Sequence, residues 1–293
     1  MSITSVRSGD VRLAVHESGP SDAPVIIAVH GYPDTSAVWN QVVPLLDDTF
    51  RVVTYDVRGT GGSSAPRGRA AYATRHLVDD LAAVVEAVAP GRTVHLLGHD
   101  WGSVQLWDAV LTEADHPRLR GRIASFTSVS GPALELVGHF LASSARRRQY
   151  LPLARQLAKS WYVMVFQLPV LPELVLTALG QRLPRILAGG QDLQDSHWGE
   201  TFVEDARRGV NLYRANSPRF TPASTRVPVQ LVVPTRDAFL SPAIYADVAT
   251  FAPDLRRLDV VADHWIPQAQ PDVVADAVRT WVDDVEARQS RAG

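Results

Sequence analysis

The chain contains no cysteine. That absence removes disulfides, thiolate nucleophiles and cysteine-based metal sites together, and leaves the compartment open. There is no excess of charge of either sign, 29 Lys and Arg against 31 Asp and Glu. A near-neutral chain gives no ground for a nucleic-acid partner or a strongly acidic one. Lysine is nearly missing as well: Lys159 is the only one, against abundant arginine, and we read this as codon usage in a GC-rich genome rather than as function. Residues 1–15 alternate polar and apolar types without a continuous signal core, so a cytoplasmic protein is expected. One stretch, 161–179, invites a membrane reading. Gln167, Pro169, Pro172 and Glu173 interrupt it, and a span wants about 20 mostly apolar residues. The expectation is a buried or pocket-lining helical segment, no transmembrane helix, and peripheral membrane contact left open.

What is present is an alternation of β-rich runs and helical spacing. Short strands are expected at 3–7 and 12–17, then buried runs at 25–29, 51–55, 94–97 and 123–129. Helices are expected at 39–46 and 72–87. From 133 to 225 helices and proline breaks replace the alternation, which returns with strands at 227–233 and 255–261 and helices at 243–251 and 271–288. The tail, 290–293, is expected to be loose. Such an order predicts an α/β fold with a mostly parallel sheet flanked by helices, in three stretches: core 1–132, inserted helical cap 133–225, core 226–293.

The strand at 94–97 runs into Gly98-His99-Asp100-Trp101-Gly102. This is the spacing of a nucleophile elbow, G-x-S-x-G, with aspartate in the serine position. A carboxylate, with an unperturbed pKa of about 3.9, is ionised at neutral pH and needs no base before it attacks an sp3 carbon. The ester so formed then needs a second machine to hydrolyse it. After the helical stretch, Asp237 follows one strand and His264 follows the last. The order nucleophile, acid, histidine is the hydrolase order. Asp263 is a rival acid, but neighbours on an extended segment point apart, which favours Asp237. Six of the remaining histidines (16, 76, 95, 116, 139, 197) lack a partner pattern, and His99 is expected to face away from the cleft. The turn Gly59-Thr60-Gly61-Gly62-Ser63-Ser64 does not meet G-x-G-x-x-G and is read as structural. Arg146, Arg147 and Arg148 are read as a solvated face.

These residues carry a resemblance to the epoxide hydrolase group of the α/β-hydrolase superfamily, related to the haloalkane dehalogenases. His30-Gly31-Tyr32-Pro33 resembles the family's H-G-x-P segment, 56–63 its D-x-R-G-x-G-x-S loop, and Gly-His-Asp-Trp-Gly its elbow. The resemblance spans nearly the whole chain. It implies two lid tyrosines that grip the epoxide oxygen. Tyr213, in Val210-Asn211-Leu212-Tyr213-Arg214, matches the second; Tyr162 stands in the position of the first, with Tyr150 as a weaker candidate. It also implies an oxyanion hole from the N–H groups of Tyr32 and Trp101, no metal and no cofactor. Trp101 and Phe166 are expected in the substrate pocket. Val163, Met164, Leu168, Val170 and Leu171 are expected to keep that pocket apolar, hence a small apolar epoxide as substrate. Three other readings share these residues: a haloalkane dehalogenase, an epoxide-opening cyclase, and a non-catalytic binding protein. Nothing in the pattern sets an oligomeric state.

Overall fold

A computed structural model describes residues 2–189 and 197–292 of the chain. Its eight strands are β1 (Ser2–Ser8), β2 (Val11–Ser18), β3 (Val25–Val29), β4 (Arg51–Tyr55), β5 (Val94–His99), β6 (Ile123–Val129), β7 (Val229–Pro234) and β8 (Leu255–Val260). They form one sheet in the order β1-β2-β4-β3-β5-β6-β7-β8. β1 pairs antiparallel with β2 and β2 with β4; all remaining pairs are parallel. β3, β5, β6 and β7 are buried throughout, as parallel strands covered on both faces must be.

The alternation along β3 shows the two layers. Val25, Ile27 and Val29 join the core under α1 (Thr74–Val88) and α2 (Trp101–Thr112), with Leu77, Leu81, Leu106 and Trp107. Ile26 and Ala28 face the opposite layer, where Val274, Val278 and Val282 line up on the last helix. Between β6 and β7 come only helices among the described residues: α3 (Leu134–Arg146), α4 (Tyr150–Lys159), α5 (Trp161–Phe166), α6 (Leu171–Leu179), α7 (Leu183–Ala188) and α8 (Phe202–Ala215). α8 buries Phe202, Ala206, Val210 and Tyr213, a stripe at helical spacing. Its sequel ties the insert to the core through Arg219, which reaches Asp108 at 2.5 Å, Glu135 at 2.9 Å and Thr74 Oγ1 at 2.6 Å. Two final helices follow β8, α9 (Ile266–Ala269) and α10 (Pro271–Ala292).

Three expectations fail locally. The helix expected at 39–46 is two 3-10 turns, Ser36–Trp39 and Val43–Leu45. Pro44 lacks the N–H a continuous helix needs, and the Thr35 hydroxyl caps the first turn by accepting from Ala37 N–H. The helix expected at 243–251 is likewise Pro242–Tyr245 and Val248–Thr250, the second closed by the Thr250 hydroxyl on the Asp247 carbonyl. The C-terminus is helical through Ala292 rather than loose: Arg288 pairs with Asp254 and Asp284 and covers the Trp281 ring. Gly293 lies outside the described residues. The turn at 59–64 is structural, as expected. The Asp56 carboxylate accepts from Ser36 and Gly62 N–H, and Gly61 N–H reaches Asp205.

Candidate active site

The C-terminal ends of β3, β5, β7 and β8 open on one side of the sheet, where an α/β sheet holds its ligand. β5 ends at His99 and α2 begins at Trp101, so Asp100 makes the whole turn, with φ 50° and ψ −123°. A non-glycine residue there costs roughly 1–3 kcal/mol of strain. The flanking glycines are required by close approach. A Cβ on Gly98 would lie 2.7 Å from the Ser103 Cα, and one on Gly102 2.1 Å from the Val29 carbonyl oxygen.

The turn presents the Asp100 carboxylate to three groups. Oδ1 accepts the Tyr32 N–H at 2.8 Å, and the Trp101 N–H also reaches the carboxylate. Oδ2 lies 3.6 Å from His264 Nε2. On the far side of the ring, His264 Nδ1 is 2.8 Å from Asp237 Oδ2. The other oxygen of Asp237 accepts the N–H groups of Phe239 at 2.7 Å and Leu240 at 3.0 Å. α4 fastens this acid loop from above. Gln156 donates to the Phe239 carbonyl and accepts from Ser241 N–H, and Lys159 donates to the Asp237 carbonyl. Asp263 points elsewhere, 3.8 Å from Arg236.

The electrostatics follow from burial and charge. Burial pushes the Asp100 carboxyl up to about 6 against the pull of His264 and the two N–H donors. Burial works to lower the His264 imidazole, but Asp237 first, then Asp100 and Asp34, carry it up to about 9. Asp237 stays below its ordinary value, because His264 and the loop N–H groups outweigh its burial. At neutral pH the resting site is therefore an imidazolium between two carboxylates. Replacing Asp100 with Asn removes one of them, and the His264 pKa is expected to fall below about 9, followed by 15N NMR of the imidazole. An unchanged value would show that Asp100 does not influence the ring.

Behind His264 lies a polar shell that sequence reasoning missed. His99 Nε2 donates to the His264 carbonyl at 2.9 Å, and its own pKa is lowered to about 4, chiefly by burial. Asp34 is fully buried and accepts from Trp198 Nε1 at 2.6 Å, Trp265 Nε1 at 3.1 Å and His197 Nε2 at 3.2 Å. Burial opposes its ionisation, yet His197, His99 and Trp198 hold it down at about 2. It is thus a fixed anion beneath the imidazole. His197 has a partner after all, and His99, though turned from the cleft as expected, braces the histidine loop.

Above the carboxylate lies a cavity of about 600 Å³ whose wall includes Asp100, His264, Tyr162, Tyr213, Phe166 and Phe239. The Tyr162 and Tyr213 rings stand edge to face at 5.7 Å, and their hydroxyls interact. Burial raises both phenols above the usual tyrosine value, so both remain protonated donors. Tyr150 is 62 % exposed and does not line the cavity. Two pocket expectations need correction. The Trp101 side chain does not line this cavity. Its ring packs at 5.0 Å behind Tyr213 and makes a polar contact with that hydroxyl, while only its N–H serves Asp100. Of the apolar residues expected to line the pocket, Phe166 does, but Val163, Met164, Leu168, Val170 and Leu171 do not. α5 is six residues long and turns Tyr162, Val165 and Phe166 inward, an i, i+3, i+4 face, which turns Met164 outward. Among the described residues no group of three or more His, Asp or Glu is arranged to hold a metal ion.

With the sheet, the elbow and the order of acid and histidine described, the chain belongs to the alpha/beta hydrolase fold family, whose sequence profile matches residues 24–266. A more particular likeness is to a Mycobacterium bovis protein called Probable oxidoreductase EphD, 38 % identical over 96 % of this chain and 50 % of that protein. Epoxide hydrolase A of Mycobacterium tuberculosis is 34 % identical over 63 % of this chain and 53 % of its own length. The chain thus spans about half the length of these curated relatives. An epoxide hydrolase of Bacillus megaterium, solved with an inhibitor, superposes with a TM-score of 0.80 at 17 % identity, over 96 % of this chain and all of that one; it supports the fold.

Proposed function

We propose that the protein hydrolyses an apolar epoxide to a vicinal diol through an ester on Asp100. The observation that carries this reading is two protonated phenols, Tyr162 and Tyr213, sharing one cavity with an elbow carboxylate and a histidine–aspartate pair. The relatives named epoxide hydrolase support it. In this reading residues 133–225 are a cap closing over a core made of 1–132 and 226–293.

A carboxylate oxygen of Asp100 attacks a ring carbon. The C–O ester bond forms as the ring C–O bond breaks, and the alkoxide takes a proton from a phenol. Alkoxides are poor leaving groups, and acid help of this kind contributes typically about 100- to 10,000-fold. A departing halide leaves unprotonated, whereas an alkoxide needs the proton, so a pair of phenols favours the epoxide over the haloalkane. Alkylation also neutralises Asp100, one of the charges that raise His264. The imidazolium then gives up its proton more readily; that proton restores the phenolate left by ring opening, and a neutral base is in place when one is needed. His264, oriented by Asp237, takes a proton from water, and the hydroxide attacks the ester carbonyl. The Tyr32 N–H already reaches Asp100 Oδ1 and the Trp101 N–H reaches the same carboxylate, so the oxyanion meets donors in place. Collapse breaks the acyl C–O bond and expels an alkoxide, which takes the proton of the new carboxylic acid. The diol leaves with an oxygen that came from Asp100, and the carboxylate and imidazolium of the resting site return. No metal or cofactor enters this scheme.

The test is an isotope experiment. After a single turnover in 18O-water with enzyme in excess, the diol should carry no label and the peptide containing Asp100 should carry it. Label in the first-turnover diol would mean that water attacks the epoxide directly, and the ester scheme would be wrong.

A further inference from the structure

The large hydrophobic side chains left exposed gather in one part of the molecule. Among the described residues all but Phe220 and Val261 lie between 150 and 186, on α4 to α7 and their links. Trp161 and Met164, one turn apart on α5, are 65 % and 72 % exposed. Leu171, Leu174 and Val175 share one face of α6. Trp161, Val175 and Ile186 belong both to this exposed face and to the wall of the cavity above Asp100, so the face adjoins the cavity. Contiguous apolar surface of this extent marks a site of contact with another phase or molecule.

Charge says which. From residue 136 to residue 189 the only carboxylate is Glu173, and Arg214 holds it in an ion pair. Arg146, Arg148, Arg155, Arg182 and Arg185 are exposed and enter no ion pair among the described residues. The chain as a whole carries −2, so this positive surface is a local concentration. A second copy docked face to face would bring two arginine-rich, carboxylate-poor surfaces together. An apolar face with an exposed indole and a cationic surround has the chemistry of the boundary between acyl chains and anionic headgroups. No helix of the described residues is long and apolar enough to cross a membrane, so the contact is peripheral.

We propose that the outer face of α4 to α7 docks on an anionic lipid bilayer, with the adjoining cavity turned toward the lipid. The docking stands on its own; delivery of an apolar epoxide from the lipid rests on the reading given above.

The experiment is co-sedimentation with vesicles of phosphatidylcholine alone or mixed with phosphatidylglycerol, without substrate, so that its outcome does not depend on the reaction. The protein should pellet with the mixed vesicles at low salt and several-fold less at about 0.5 M salt, where exposed charges are screened. Binding to phosphatidylcholine alone should be weak. The double variant Met164→Glu/Leu174→Glu changes two exposed residues outside the cavity wall. It should bind at least about tenfold more weakly, the effect of charge placed in an interfacial face. Circular dichroism and turnover of a water-dissolved epoxide should match the parent. Three results would overturn the proposal: no binding to the mixed vesicles, equal binding by the double variant, or equal binding to neutral and anionic vesicles. A parent dimer that the double variant makes monomeric in sedimentation velocity would assign the face to a second copy instead.

Discussion

His264→Gln is expected to stop the protein with its ester in place. Mixed with an epoxide it accepts, the variant should gain the mass of one substrate molecule, held on the peptide that contains Asp100. Steady turnover should fall on the order of 10⁴-fold, the upper range for loss of a general base. The reason is the division of labour in the geometry. Asp100 needs no base, being a carboxylate beside a phenol pair, so bond formation survives. In the proposed scheme only the second step uses Nε2, the imidazole nitrogen turned toward Asp100 and away from Asp237. Glutamine fills the space and keeps hydrogen-bonding groups, but it is not a base. It also removes the cation that pairs with the buried Asp237, so melting temperature must be measured alongside. Asp100→Ala is the control and should show no adduct. A folded His264→Gln protein that neither accumulates adduct nor loses turnover would end the ester mechanism.

What was legible in the sequence is what is encoded locally. The elbow needs two small residues around a tight turn, and five consecutive positions report it. The order of Asp100, Asp237 and His264 is legible because each follows a β-rich run, and strand ends in a parallel sheet converge. The brace under His264 was not legible. Asp34 meets His197, Trp198 and Trp265 across separations of 163, 164 and 231 residues, and each of these residues by itself looks ordinary. A buried acid directly after the H-G-x-P segment was the one available signal. The inward face of the helical insert was hidden for a different reason. Its helices are short and broken by prolines, so periodicity is too brief to fix a phase. Met164 and Leu171 read as pocket-lining material and lie on the outside. The 3-10 turns at 36–45 and 242–250 failed similarly, since apolar spacing of one turn does not separate the two helix types.

Tyr162→Phe combined with Tyr213→Phe should slow ester formation by roughly 100- to 10,000-fold and leave ester hydrolysis almost unchanged. In the proposed scheme the two hydroxyls on the cavity wall protonate the epoxide oxygen, and Phe keeps the rings that pack against Phe166 and against each other. The single variants should differ. Tyr213 is the more deeply buried and contacts the Trp101 side chain, so its loss also leaves that indole N–H without a partner. Tyr162 stands closer to the acid loop, with its ring 5.7 Å from Phe239, and its loss should be the milder. Because burial raises both phenols, the parent's rate of ester formation should show no loss from tyrosine ionisation up to pH 10; such a loss near the ordinary phenol value would contradict the buried geometry. Rapid-quench single turnovers separate the two steps. Unchanged ester formation with slowed hydrolysis would remove the phenols from the acid role. The same cavity would then favour a leaving group that departs unprotonated, and halide release from haloalkanes becomes the activity to measure.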